Sequence, residues 1–228
     1  MKKIYITSLF LISLLPMASA QKGFHIGLEG AYNASFIMNQ DAYGEQELDY
    51  TATMKWAGGA EIGYNFDRHF GLQAEIITSN QGQHYLKQVA GQPTIYRNVD
   101  LNYTNIPFFI KYSSNGNYQA RFYLMAGPQL SLLNTASIYY KDAQSEYTID
   151  AKPRFNSQDW AVAFEFGVDV TLIKNMYASA GLRFNYGLTD INSPDYRIVN
   201  HDGIYQGSRN VIGGINVGLH YVLFGREK

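Results

Sequence analysis

The chain contains no cysteine. That single absence excludes disulfides, thiol catalysis, cysteine-ligated metal sites and a lipid anchor on an N-terminal cysteine. The chain also lacks any apolar run near the ~20 residues that carry a helix across a bilayer, which excludes a helical membrane protein. Its one apolar stretch of note, Ile4 to Pro16, is short and follows Lys2 and Lys3. With Ala18-Ser19-Ala20 behind it, residues 1–20 read as a cleaved secretory leader, leaving Gln21 first and a single domain over 21–228. Charge of one sign is scarce as well. Lys2 and Lys3 belong to the leader, so 16 basic residues remain against 19 acidic ones, a formal −3. No basic stripe is available, and nucleic acid is excluded as a partner. There is no His-x-x-x-His pair, phosphate loop or nucleophile elbow. His84 near Ser79, and His201-Asp202 near Ser208, come nearest to a hydrolase constellation, but polar loops produce such neighbours by chance. The expectation is no enzyme, no cofactor and no metal.

What the sequence has instead is a two-residue rhythm. Trp56, Gly58, Ala60, Ile62, Tyr64 and Phe66 alternate with Ala57, Gly59, Glu61, Gly63 and Asn65. Successive side chains of a strand point to opposite faces of its sheet, so this run has one apolar and one polar face. Eight such segments follow the leader, at about 23–33, 55–66, 70–82, 99–112, 120–132, 158–170, 177–188 and 210–224. Their apolar faces are rich in aromatics while full charges sit mid-strand on the other face. That is the pattern of a barrel turned inside out, with lipid outside. Nineteen Tyr, thirteen Phe and two Trp suit the interfacial girdles of such a barrel better than a soluble core.

Short links around 67–69, 113–117 and 173–175 alternate with long, polar, Tyr-rich ones at about 34–54, 83–98, 133–157 and 189–209. Membrane barrels have short periplasmic turns and long external loops, so the alternation also orients the chain. The predicted fold is therefore an all-β, eight-stranded antiparallel up-and-down transmembrane barrel. Trp56 and Trp160 each open a strand returning from an outer loop and are placed at one level in an outer aromatic belt. Parity puts Glu61, Glu75, Lys111, Arg121, Glu165, Asp169, Arg183 and His220 inside, with Gln73, Asn105, Asn185 and Asn216. Eight strands leave a lumen just wide enough for side chains, and buried charges must pair, so these are expected to plug the barrel as an ion-pair network. Of the loop tyrosines, Tyr139, Tyr140 and Tyr147 are the first candidates for recognition, because Tyr offers large contact area at low entropic cost.

Four stretches carry a resemblance. Leu72-Gln-Ala-Glu75 precedes Ser79-Asn-Gln-Gly82; Tyr103-Thr-Asn-Ile-Pro-Phe-Phe-Ile-Lys-Tyr112 follows; then come Phe122-Tyr-Leu-Met-Ala-Gly-Pro128 and Gly181-Leu-Arg-Phe-Asn-Tyr-Gly-Leu-Thr-Asp190. Together they resemble the small outer-membrane β-barrel proteins of Bacteroidota, the porin-like family that includes PorT-type members. Asn105 departs from the Glu that family often has there. The resemblance implies integral residence in the Gram-negative outer membrane with lipid as the constant partner. Because only some members are linked to secretion machinery, other envelope or secretion proteins are partners it allows without implying one role. The reading is a non-enzymatic scaffold, structural or interactive. Its rivals are a narrow porin passing small solutes and a soluble periplasmic barrel holding a small apolar ligand. Outward Phe108, Phe122, Val162, Phe164, Phe166, Val217 and Leu219 speak against the last, since they would face water.

Overall fold

The computed structural model describes residues 23–38, 49–51, 53–88, 90–114, 119–197, 199 and 203–224. The expected leader, 1–20, lies outside them. Ten strands follow in order: β1 (Gly23–Met38), β2 (Asp49–Thr51), β3 (Thr53–Asn65), β4 (Phe70–Lys87), β5 (Ile95–Ser113), β6 (Ala120–Lys141), β7 (Glu146–Asp150), β8 (Gln158–Ile173), β9 (Met176–Gly187) and β10 (Arg209–Phe224). Eight of them close a ring. β1 pairs with β3, β3 with β4, β4 with β5, β5 with β6, β6 with β8, β8 with β9, β9 with β10, and β10 returns to β1, antiparallel throughout. Closure gives each of these eight strands a partner on both sides, the condition for placing a sheet in hydrocarbon.

The two extra strands correct the reading of the long connections as loops. β4, β5 and β6 continue well past the lipid-facing rows, β2 pairs with β4, and β7 pairs with β6. Above the membrane these five form a sheet in the order β2-β4-β5-β6-β7. The 133–157 connection is thus mostly the end of β6 and the hairpin to β7, carrying Tyr139, Tyr140 and Tyr147 on paired strands.

Both faces of the wall change character at one row. On the outer face of β5, Tyr112, Ile110, Phe108 and Ile106 give way to Thr104, Asn102, Asp100 and Asn98. On the inner face, Lys111 and Asn105 give way to Tyr103, Leu101 and Val99, all fully buried. Strand β6 follows suit. Outward Leu130 and Leu132 precede Asn134 and Thr135, both exposed, where the extra residue of a β-bulge resets the alternation. Strict parity would send Ala136 and Ile138 outward; the bulge turns them in, 4% and 0% exposed. Asn80, Asn102 and Asn134 then form a ladder across β4, β5 and β6, with amide-to-carbonyl bonds of 2.8 and 2.9 Å. Below this row the protein is polar inside and apolar outside; above it, the ordinary order of a soluble protein returns.

Candidate functional site

Two layers fill the space enclosed by the ring. The lower is polar. Arg183 on β9 stands directly across from Glu165 on β8, and its Nε donates to Glu165 at 2.5 Å. Its Nη1 reaches Glu75 at 2.7 Å and its Nη2 reaches Glu29 at 3.3 Å. One guanidinium therefore serves three carboxylates, the fork geometry for which arginine is suited. Towards the periplasmic end, Lys111 lies 3.0 Å from Asp169, Arg121 lies 3.8 Å from it, and the Lys111 ammonium sits 4.5 Å from the centre of the Tyr123 ring. Tyr123 in turn donates to Glu165. Glu61 and Glu75 are directly opposed across β3 and β4, a like-charge pairing. The Gln73 amide bridges them, donating to Glu61 at 2.6 Å and to Glu75 at 2.7 Å.

Glu61 takes its remaining partners from histidine rather than arginine. His220 Nδ1 donates to it at 2.5 Å, His25 lies 3.7 Å away, and the Ser179 hydroxyl meets His220 Nε2 at 2.7 Å. Hydroxyl, imidazole and carboxylate in that order have the connectivity of a hydrolytic relay. A nucleophile also needs a substrate beside it, and here the space is taken. Tyr177 stacks on His220 at 4.3 Å, and a Cβ on Gly218 would overlap Ser179 and His220. The small lumen cavity beside Glu29, Asn105 and Asn216 is not lined by Ser179. The chain is a packed hydrogen-bond network.

The upper layer is apolar. Ile37, Tyr85, Val99, Leu101, Tyr103, Leu133, Ala136, Ile138, Ala151, Phe155 and Ile191 form one buried cluster over the outer end of the lumen. Tyr140, facing inward because of the bulge, packs against it. Among the described residues no group of three His, Asp or Glu side chains is arranged to hold a metal ion.

A closed ring with an apolar belt and a charged interior has one established home, and comparison with known families decides it. The family model for the outer membrane protein beta-barrel domain matches residues 18–193. The chain belongs to that family. It is an integral outer-membrane barrel in contact with lipid, and the soluble ligand-binding alternative is overturned. Among solved structures, the outer membrane protein OprG from Pseudomonas aeruginosa is 14% identical, with a TM-score of 0.51 over 91% of this chain and 100% of that one. Neisserial surface protein A is also 14% identical, with a TM-score of 0.47 over 90% of this chain and 100% of that one. At such identity the likeness to OprG extends to the fold alone. No curated protein matches the sequence.

The barrel accounts for several motifs. Ile106-Pro107 on β5 and Gly127-Pro128 on β6 lie side by side where the ladder is interrupted between Pro107↔Gln129 and Ile110↔Ala126. Pro107 and Pro128 lack an N–H, and a Cβ on Gly127 would collide with the Phe108 carbonyl. Asp190 anchors the last outer connection. Its Oδ1 accepts the Ser208 and Asn192 amides at 2.9 and 3.1 Å, and its Oδ2 takes the Tyr205 hydroxyl at 2.6 Å and Arg197 Nε at 3.1 Å. Trp56 and Trp160 both point to lipid, 70% and 49% exposed, with Tyr32 packed 4.5 Å from Trp56.

The tyrosines of the hairpin divide. Tyr139 donates to Glu146 at 2.8 Å, while Tyr140 stacks on Tyr147 at 5.1 Å with Arg97 on its ring at 5.0 Å. Tyr147 stays half exposed. Parity reasoning missed Glu29 and His25, both inward on β1. Their signal was present, since His25, Gly27, Glu29, Ala31, Asn33 and Ser35 alternate with Phe24, Ile26, Leu28, Gly30, Tyr32 and Ala34.

Proposed function

We propose that this protein is a non-conducting, non-enzymatic scaffold of the PorT-type branch in Bacteroidota, engaging another envelope or secretion protein through the sheet it raises above the outer leaflet. The carrying observation is β7. Among the described residues Glu146–Asp150 pairs only with β6, leaving one edge of a five-stranded sheet open with Tyr147 exposed beside it. An open edge offers main-chain donors and acceptors to an added strand, and alternate side chains provide specificity. The barrel wall has no such freedom, being committed to lipid outside and ion pairs inside.

The test is capture of partners from solubilised membranes by the intact protein and by a form with residues 142–150 replaced by a two-residue turn. Loss of a specific partner with the barrel still heat-modifiable supports the proposal. Retention of that partner, with loss instead on altering the turn around Asp67–His69, would move the functional surface to the periplasm. Steady open events in planar bilayers would favour the narrow porin.

A further inference from the structure

Beyond the membrane rows the wall between β1 and its neighbour opens. The pairing of β1 with β3 ends at Ser35↔Thr53. Strand β1 nevertheless runs on to Met38, and among the described residues only β10 pairs with that end, Phe36 against Val211 and Met38 against Arg209. Across the gap stands β2, which pairs with β4 through Asp49↔Leu86, Tyr50↔Tyr85 and Thr51↔His84. Between the two lies an open groove of about 450 Å³, lined by Ala34, Phe36 and Met38 from β1 and by Tyr50 and Thr51 from β2. The groove is blind. Ile37 on its floor is 1% exposed and belongs to the apolar cap, and Ser35 Oγ donates to the Gly82 carbonyl at 3.0 Å, tying β1 directly to β4.

We propose that this groove holds one acyl chain of an outer-leaflet lipid, drawn up against β1 and taken irrespective of its head group. Continuity with the lipid interface is the first ground. Ala34 and Phe36 extend the outward row of Phe24, Ile26, Leu28 and Tyr32, all exposed to lipid. A chain in the bilayer can therefore enter from the side without crossing water. Chemistry is the second. Among the described residues no charged side chain lines the groove, so it offers nothing to an ion or a phosphate. Phe36, Met38 and Tyr50 offer apolar surface instead, and left to water they would form a contiguous apolar patch of the kind protein surfaces seldom leave uncovered. Size is the third, since the space falls within the roughly 300–1,000 Å³ of small-ligand sites. The bound chain fills the gap where backbone pairing between β1 and β3 has stopped. Because the floor is closed, it stays in the wall and does not pass into the lumen.

The experiment reconstitutes the intact protein in phosphatidylethanolamine vesicles doped with a phosphatidylcholine whose palmitoyl chain carries a diazirine. After illumination, digestion and mass spectrometry locate the adducts. Marks are expected on Met38 and Tyr50 as well as on belt residues such as Leu28 and Phe122, and not on Asn102 or Asn134, which are outward but polar. Ala34→Trp, which fills the mouth of the groove, should abolish the marks on Met38 and Tyr50. Ala126→Trp, the same enlargement on the lipid face of β6, should leave them in place. Thr51→Trp fills the groove from the other wall and decides the matter if the Ala34 variant is not heat-modifiable. A phosphatidylglycerol probe with the same chain should give the same marks. Adducts confined to the belt would mean that the protein's own chain covers the groove, and would overturn the proposal. So would marks on Met38 and Tyr50 that survive both groove-filling variants, or that appear with one head group only.

Discussion

Arg183 shows how much one residue can carry in a narrow lumen. Removing it leaves Glu29, Glu75 and Glu165 buried together without their cation. Breaking a buried pair costs about 3–5 kcal/mol because the remaining charge is stranded. Arg183→Met is expected to lose that much in reversible urea unfolding from liposomes. On the opposite face, Phe166→Arg sits mid-strand toward lipid, where a cation costs about 2–4 kcal/mol; Phe166→Leu should be close to neutral in the same assay. Asp190 matters differently, as the anchor of the 188–208 connection. Asp190→Ala should speed tryptic cleavage at Arg197 in proteoliposomes while the barrel stays heat-modifiable. Burial, and then its bond to Asp190, push the Tyr205 hydroxyl above its ordinary value of about 10. A raised pKa stabilises the folded form below the ordinary value and loses that contribution as pH climbs past the raised one. Protease resistance of this connection should thus hold through neutrality and fall in strong alkali, and Tyr205→Phe should remove that alkaline step.

At the scale of elements, the outer sheet and the barrel wall are two structures built from the same strands. The sheet is held by an apolar cluster of the kind found in soluble proteins, the wall by closure and lipid. Ile138, fully buried in that cluster, tests their independence. Ile138→Ala should cost about 2–5 kcal/mol, felt locally. Hydrogen exchange should quicken in β7 and in the outer ends of β5 and β6, while amides of the membrane rows remain protected. Uniform loss of protection would show that cap and wall unfold as one unit.

For the whole molecule, the polar layer and the apolar cap lie in series along the lumen, so an ion would have to displace both. Purified protein should show no steady conductance in planar bilayers, and should migrate differently before and after boiling. Mass spectrometry of protein from membranes should find Gln21 at the amino terminus, which checks the leader.

The eight strands of the ring, their alternation and its closure were legible in the sequence, because a period of two between lipid and a polar interior leaves each residue only two places to go. The inward positions of Glu61, Glu75, Arg183 and His220 were legible for that reason, and those of Glu29 and His25 were equally available in β1. That Arg183 would also bind Glu29 and Glu75 was not legible, since β1 and β4 face β9 only across the lumen. Only the folded chain decided two things. It turned the end of β6 over at Asn134, a bulge that one unpaired residue creates and no periodicity announces. It converted the supposed loops into paired strands, because above the membrane the apolar face shared by β4, β5 and β6 had to be covered, which Ile37, Ala151, Phe155 and Ile191 do.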